Sequence, residues 1–308
     1  MAKIFDELVV KGSLTVLGTL RTYGLLGEVF YVDSGHTNAS DSNDGKNPKR
    51  PMATIDAAIG KCTASNNDFI IVAPRHAENI TTATGINCDI AGITILGLKN
   101  GNLMPTISFT AAAGSITIGA ANVTLKDLKL VANFATGTTV GITIPVAGTG
   151  CTLDGIVMRD TSAANEFLRH ISVAALVTDL RLTGCSFVTL AGSMVNSVYF
   201  VGASTDCVIE DSYIFVSGTG TVIDHLTAAA VNLVVRRCIL INADTTVAGY
   251  CLRHHADGTG VAYDNRFAYN KIDAEISGGA KAWWFDNKAS NTIAESGLLD
   301  PATTHAIP

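Results

Sequence analysis

The sequence predicts an all-β fold, a right-handed single-start parallel β-helix whose coils of about 28 residues stack one strand-width apart, and two observations point to it. The first is a degenerate pattern, apolar-x-apolar-x-x-apolar-x-apolar, that returns at a nearly constant interval. The second is composition: 47% hydrophobic residues but only 16% charged, with many Thr, Ser, Asn, Ala and Gly, which suits stacked strands better than amphipathic helices.

The pattern reads Val123-Thr-Leu125-Lys-Asp-Leu128-Lys-Leu130, then Cys151-Thr-Leu153-Asp-Gly-Ile156-Val-Met158, then Leu180-Arg-Leu182-Thr-Gly-Cys185-Ser-Phe187. It continues through Cys207–Ile214 and Leu233–Leu240, and a weaker copy covers Phe267–Ala274. With its second apolar residue as marker, Leu125, Leu153, Leu182, Ile209, Val235 and Tyr269 follow one another at steps of 28, 29, 27, 26 and 34, and Ile95 extends the ladder upstream by 30. A second ladder of apolar pairs lies between the copies: Ile116/Ile118, Ile142/Ile144, Ile171/Val173, Val198/Phe200, Thr221/Ile223, Tyr250/Leu252 and Trp283/Phe285. Each coil is therefore expected to hold an alternating strand, a two-residue corner (Lys126-Asp127, Asp154-Gly155, Thr183-Gly184), a second strand, a loop and a third strand. One coil cannot cover its own apolar face, but neighbours stacked at about 4.8 Å make a continuous core. Cys185 and Cys238 fall on the rung position of Leu128 and Ile156, which predicts small apolar stacks of free thiols.

The ends break the pattern. Residues 1–28 contain the strand-glycine-strand run Leu8–Leu20, too small for a core of its own. It is expected to be a stem for trimerisation or particle attachment, with Leu8, Val10, Leu14, Val16 and Leu20 wound about one axis. The β-helix is expected over 29–288, with a capping helix at about 52–62, and 289–308 as a tail or cap.

A net charge of −6 without a basic run argues against nucleic acid, and no stretch approaches the length of an apolar membrane span. The amino terminus lacks the order of a signal peptide, so assembly in a cytoplasm is expected. Seven cysteines without a C-x-x-C pair suggest neither a disulfide framework nor a zinc ribbon. No metal or other cofactor is expected.

The segment Tyr31-Val-Asp-Ser-Gly, followed by Asn43–Ile59 and then Asn67–Ile80 with its Asp-x-Ile-x-Val strand, resembles the opening of pectate-lyase-like β-helices, the superfamily that includes many bacteriophage tail spikes and virion surface proteins. The resemblance implies a first strand, a polar glycine loop and a short helix capping the open end of the solenoid. The amino-terminal run is also similar to the intertwined trimeric stems of phage fibres and spikes.

Aligned coils show one polar cluster. Just after the second strand the equivalent positions read Pro145, Ala174, Val201, Asp224, Arg253 and Asp286, and the next position gives His225 and His254. Asp224, His225, Arg253, His254 and Asp286 are therefore the candidate patch for a glycan or a subunit contact, with a cross-rung salt-bridge ladder as the plainer reading. Asp41-Ser-Asn-Asp44-Gly45 could hold calcium but lacks the closing Glu of an EF-hand loop, and a solvated turn is favoured. No nucleophile elbow, Walker loop or zincin helix is present, and the balance of the residues is against an enzyme. The resulting expectation is a non-enzymatic structural protein of a bacteriophage virion surface: a homotrimeric capsid decoration (cement) protein or head fibre, with capsid or tail proteins as partners. The alternative is a short tail spike that binds or depolymerises host surface polysaccharide.

Overall fold

The computed structural model describes residues 27–100, 103–190, 193–218, 220–243, 249–269, 276–277, 281–291 and 296–298. The stem residues Leu8, Val10, Leu14, Val16 and Leu20 lie outside them.

The described chain is a single-stranded right-handed parallel β-helix. Three sheets run its length. Sheet 1 has ten strands from Val29–Val32 to Ala282–Phe285, sheet 2 has eight from Ile86–Asn87 to Ile276–Ser277, and sheet 3 has ten from Ala77–Ile80 to Ser296–Leu298. One coil shows the path: Thr152–Asp154 in sheet 1, Val157–Asp160 in sheet 3, Arg169–Val173 in sheet 2, and Val177–Thr178 before the next coil begins at Arg181. Among the described residues every pairing between these strands is parallel except the last, where Ser296–Leu298 runs antiparallel to Lys288–Asn291.

The internal column of sheet 1 is the expected one: Ile95, Leu125, Leu153, Leu182, Ile209 and Val235 pair rung to rung. It then continues to Ala262 and Trp284, not to Tyr269, whose backbone pairs with Asn242 in sheet 3. The step of 34 was the irregularity. Phe267-Ala-Tyr269 satisfies the same alternation as a sheet 1 strand but follows a corner, and so belongs to the other sheet.

The corners have a backbone cause. Asp127, Gly155, Gly184, Asp211, Arg237, Asp264 and Asp286 occupy one column and all have φ between 52° and 65°. This left-handed turn redirects the chain from sheet 1 to sheet 3, and it favours Gly, or an Asp that bonds locally. The corner's inward position carries Leu128, Ile156, Cys185, Ser212, Cys238, Asn265 and Asn287, so the expected thiol rungs are in place. The two asparagines are tolerated because their amides are satisfied. Asn265 Nδ2 donates to Val235 O and Asn287 Oδ1, both at 2.9 Å, its Oδ1 accepts from Cys238 N at 2.9 Å, and Asn287 Nδ2 donates to Ala262 O at 2.8 Å.

The capping helix is shorter than expected, Ile55–Ile59. Thr54 caps it by accepting from Ala57 N, and Ile55, Ala58 and Ile59 cover the solenoid end. The Asp41 loop is structural: Asp41 Oδ1 accepts from Ala53 N and Thr54 N at 2.9 Å each. Gly45 has φ +70°, and a Cβ there would meet Met52 Sδ at 2.9 Å. Asp68, fully buried, closes the same end by accepting from Glu28 N, Asn66 Nδ2 and Thr63 N at 2.6–2.7 Å.

All seven cysteines are free, six of them buried and Cys62 half-buried. Burial pushes the thiols of Cys62, Cys151, Cys185 and Cys238 up to about 12. Thiol titration in denaturant is expected to find all seven, while the folded protein reacts slowly because the thiolate is the reactive form. A disulfide found in protein prepared without reductant would contradict the columns.

Candidate functional site

Sheet 2 positions the site. Its inward column, Ile116, Ile142, Ile171, Val198, Ile223 and Leu252, is registered rung on rung. Alternation therefore aims the next residue of each strand outward: Thr117, Thr143, Ser172, Tyr199, Asp224 and Arg253.

Asp224 and Arg253 are thus adjacent-rung partners, as expected, but two positions earlier on the strand than their alignment with Pro145, Ala174 and Val201. The displacement arises at Ile223, which pairs with Val198 and not with Phe200. It also takes the strands on through the histidines, as Thr221–His225 and Leu252–His254. His225 and His254 continue the inward phase of Ile223 and Leu252, and they are buried in a column with Phe200. The Phe200 and His225 rings stack at 4.5 Å, and His225 lies 6.1 Å from His254. His225 Nε2 is 2.8 Å from Ser204 Oγ, and burial lowers its pKa to about 4.

Asp286 is not part of this group. It is a left-handed corner of sheet 1, following a strand whose Trp283 pairs with Val261 and whose Phe285 pairs with Tyr263. Trp283/Phe285 is therefore not a member of the sheet 2 ladder. Trp-x-Phe matched the alternation in the wrong phase, since Trp284 is the residue that packs inward.

Three of these, Tyr199, Asp224 and Arg253, line a depression of about 510 Å³ together with Arg169, Asn196 and Thr227. Asp224, only 2% exposed, is part of its wall. Arg253 grips it bidentately, Nε to Oδ1 at 2.9 Å and Nη2 to Oδ2 at 2.5 Å, and Asn196 Nδ2 donates to Oδ2 at 2.6 Å. The hydrogen bond to Asp224 raises the Arg253 pKa. The Arg169 guanidinium lies 4.8 Å over the Tyr199 ring, and its Nε is buried without a hydrogen-bond partner. The groove thus presents two guanidiniums, one carboxylate, an amide, hydroxyls and an aromatic ring. Arg169, Asn196, Tyr199 and Thr227 were not singled out from the sequence. Tyr199, between the inward Val198 and Phe200, is the one that period-two phase alone would have placed outside.

Among the described residues, no group of three His, Cys, Asp or Glu is placed to hold a metal ion.

The fold and its corner columns define a protein of the right-handed parallel β-helix class. No family model matches the chain, and no curated protein matches it. Among solved structures it is similar to a rhamnogalacturonan lyase, at 13% identity and a TM-score of 0.46, covering 89% of this chain and 90% of that one. It is also similar to the pectin methylesterase from Aspergillus niger in deglycosylated form, at 14% identity and a TM-score of 0.41, covering 94% of this chain and 96% of that one. These likenesses are of fold. They correct the expectations of a non-enzymatic virion decoration, cement or fibre protein and of a chain that is not an enzyme: both structures are enzymes, and neither is named as a bacteriophage, capsid or tail-spike protein.

Proposed function

We propose that the protein is a carbohydrate-active β-helix that binds an extended glycan along the sheet 2 groove and acts on it through Asp224. The observation that carries this reading is the Asn196–Asp224–Arg253 array lining an open groove beside Arg169, whose Nε has no partner. Glycans offer many hydroxyls to fixed donors and acceptors and apolar ring faces to an aromatic such as Tyr199, and the groove supplies both. Asp224 is the sole carboxylate among the groove's described lining residues, so the paired carboxylates of most glycoside hydrolases are not assembled there. The arrangement suits a step in which one carboxylate takes a proton while a guanidinium neutralises charge developing on the substrate.

The test is incubation with a panel of acidic and neutral polysaccharides, read by viscosity, reducing ends, unsaturated products and released acid. Activity in the wild type is expected to fall about 100-fold or more in Asp224→Asn. Tyr199→Ala, which leaves the ion pair intact, is expected to weaken substrate binding. Activity that survives both changes in folded protein would sink the proposal, as would a wild type inert on every polysaccharide.

A further inference from the structure

The outer face of sheet 1 at its last coils is unlike that of its middle coils. From Thr124–Lys126 to Arg181–Thr183 it carries threonines and the ion-paired Lys126, Asp154 and Arg181. Toward the end its outward columns become Val208, Val234, Val261 and Trp283 in one file and Arg236, Tyr263 and Phe285 in the next. Trp283 is 72% exposed and Phe285 42%. Two apart on one strand, they project to the same side about 7 Å from each other. The Phe285 ring stacks on Tyr263 at 5.0 Å and 7°, and the Tyr263 hydroxyl accepts from Arg236 Nη1 at 3.0 Å, which fixes the plane of the platform. Val234, Val261, Trp283 and Phe285 floor a depression of about 600 Å³ rimmed by Asn232, Thr259 and Lys281.

From this face we infer a second glycan site, an aromatic platform for neutral pyranose rings, on a different sheet from the groove and independent of its reading. The charge balance selects the ligand. Lys281 is paired with Asp257 at 3.1 Å, Asn232 Nδ2 donates to Asp206 Oδ1 at 2.9 Å, and Arg236 is held by Glu210, so the rim already matches its charges internally. A neutral ring with an apolar C–H face and a hydroxyl edge is the complement of a flat aromatic floor with an amide and hydroxyl border. A second copy of the chain fits less well. The exposed parts of Trp283 and Phe285 amount to roughly 300 Å², well short of the roughly 800 Å² per partner of a stable interface.

The test uses cellopentaose, whose equatorial substituents leave both ring faces apolar, titrated against the full chain and followed by tryptophan emission and calorimetry. Binding is expected to saturate, to be insensitive to salt, and to weaken about tenfold or more in Trp283→Ala while Trp283→Phe retains much of it. Trp283→Ala is expected to leave polysaccharide turnover in the sheet 2 groove unchanged, which separates failure of one site from failure of the other. The inference is overturned by no binding up to about 10 mM, by binding unaltered in Trp283→Ala, or by wild-type self-association in sedimentation that Trp283→Ala abolishes.

Discussion

Leu153→Asp is expected to abolish folding, the largest effect of any single substitution considered. Leu153 is fully buried and is registered between Leu125 above and Leu182 below. Removing the leucine costs about 2–5 kcal/mol in lost burial and cavity, and an unpaired carboxylate in the same space adds several more. The sum is comparable with the whole stability of a typical domain. Because coils stabilise one another only through neighbours, a broken rung in mid-solenoid deprives both sides of their cover. Insoluble or non-cooperatively melting protein is the expected result. Leu153→Met and the outward-facing Thr152→Asp should both fold, and a cooperatively melting Leu153→Asp protein would show that the inward phase of sheet 1 is misassigned.

Acid should destabilise the protein steeply, with buried histidines as the cause. His170, held by Ser197 Oγ at 2.7 Å among Phe167 and Phe187, has its pKa lowered to about 3 by burial and then by Arg159, and His225 lies at about 4. Both folded values are depressed below the unfolded value of about 6.5, so the unfolded chain takes up protons first. Stability is therefore full above about pH 6.5 and is lost as pH falls toward the folded values. Each histidine contributes about 1.4 kcal/mol per pH unit across its window. Asp160 opposes them: burial raises its carboxyl to about 6, so it favours the folded state as pH falls from about 6 to its unfolded value near 4. The net loss between pH 6 and 4 is about 1.4 kcal/mol per unit. Melting temperature followed from pH 7 to 4 should fall accordingly, and His170→Gln should flatten most of that slope. A melting temperature independent of pH over this range would contradict the buried neutral histidines.

The solenoid was legible because its physics is periodic. Period two within strands and near-constant coil length place Leu125, Leu153, Leu182, Ile209 and Val235 correctly without any knowledge of contacts. The reading failed where coil length changes. Between Phe200 and Ile223 the interval departs from that of the earlier coils, and a two-residue error keeps the alternation intact while moving every side chain one place along the strand. That error ended the strand at Ile223 and left His225 and His254 beyond it on a surface patch, when the strand runs on through them and they stack in the core, and near the carboxyl end the same ambiguity drew Asp286 and Trp283 into the wrong sheet.

Residue order alone fixes the fold class, the corners and the interior columns, since local alternation and left-handed turn residues recur from coil to coil and stacking amplifies each weak signal. It also singled out Asp224 and Arg253, because opposite charges one coil apart are visible as a spacing. What surrounds them follows from how the coils stack. Arg169, Asn196 and Tyr199 are separated from Asp224 in the chain by one or two whole coils, and Tyr263, Phe285 and Trp283 form one platform only once rung pairing sets them side by side. Such groupings depend on the exact register between coils, which loop length controls and residue type does not encode.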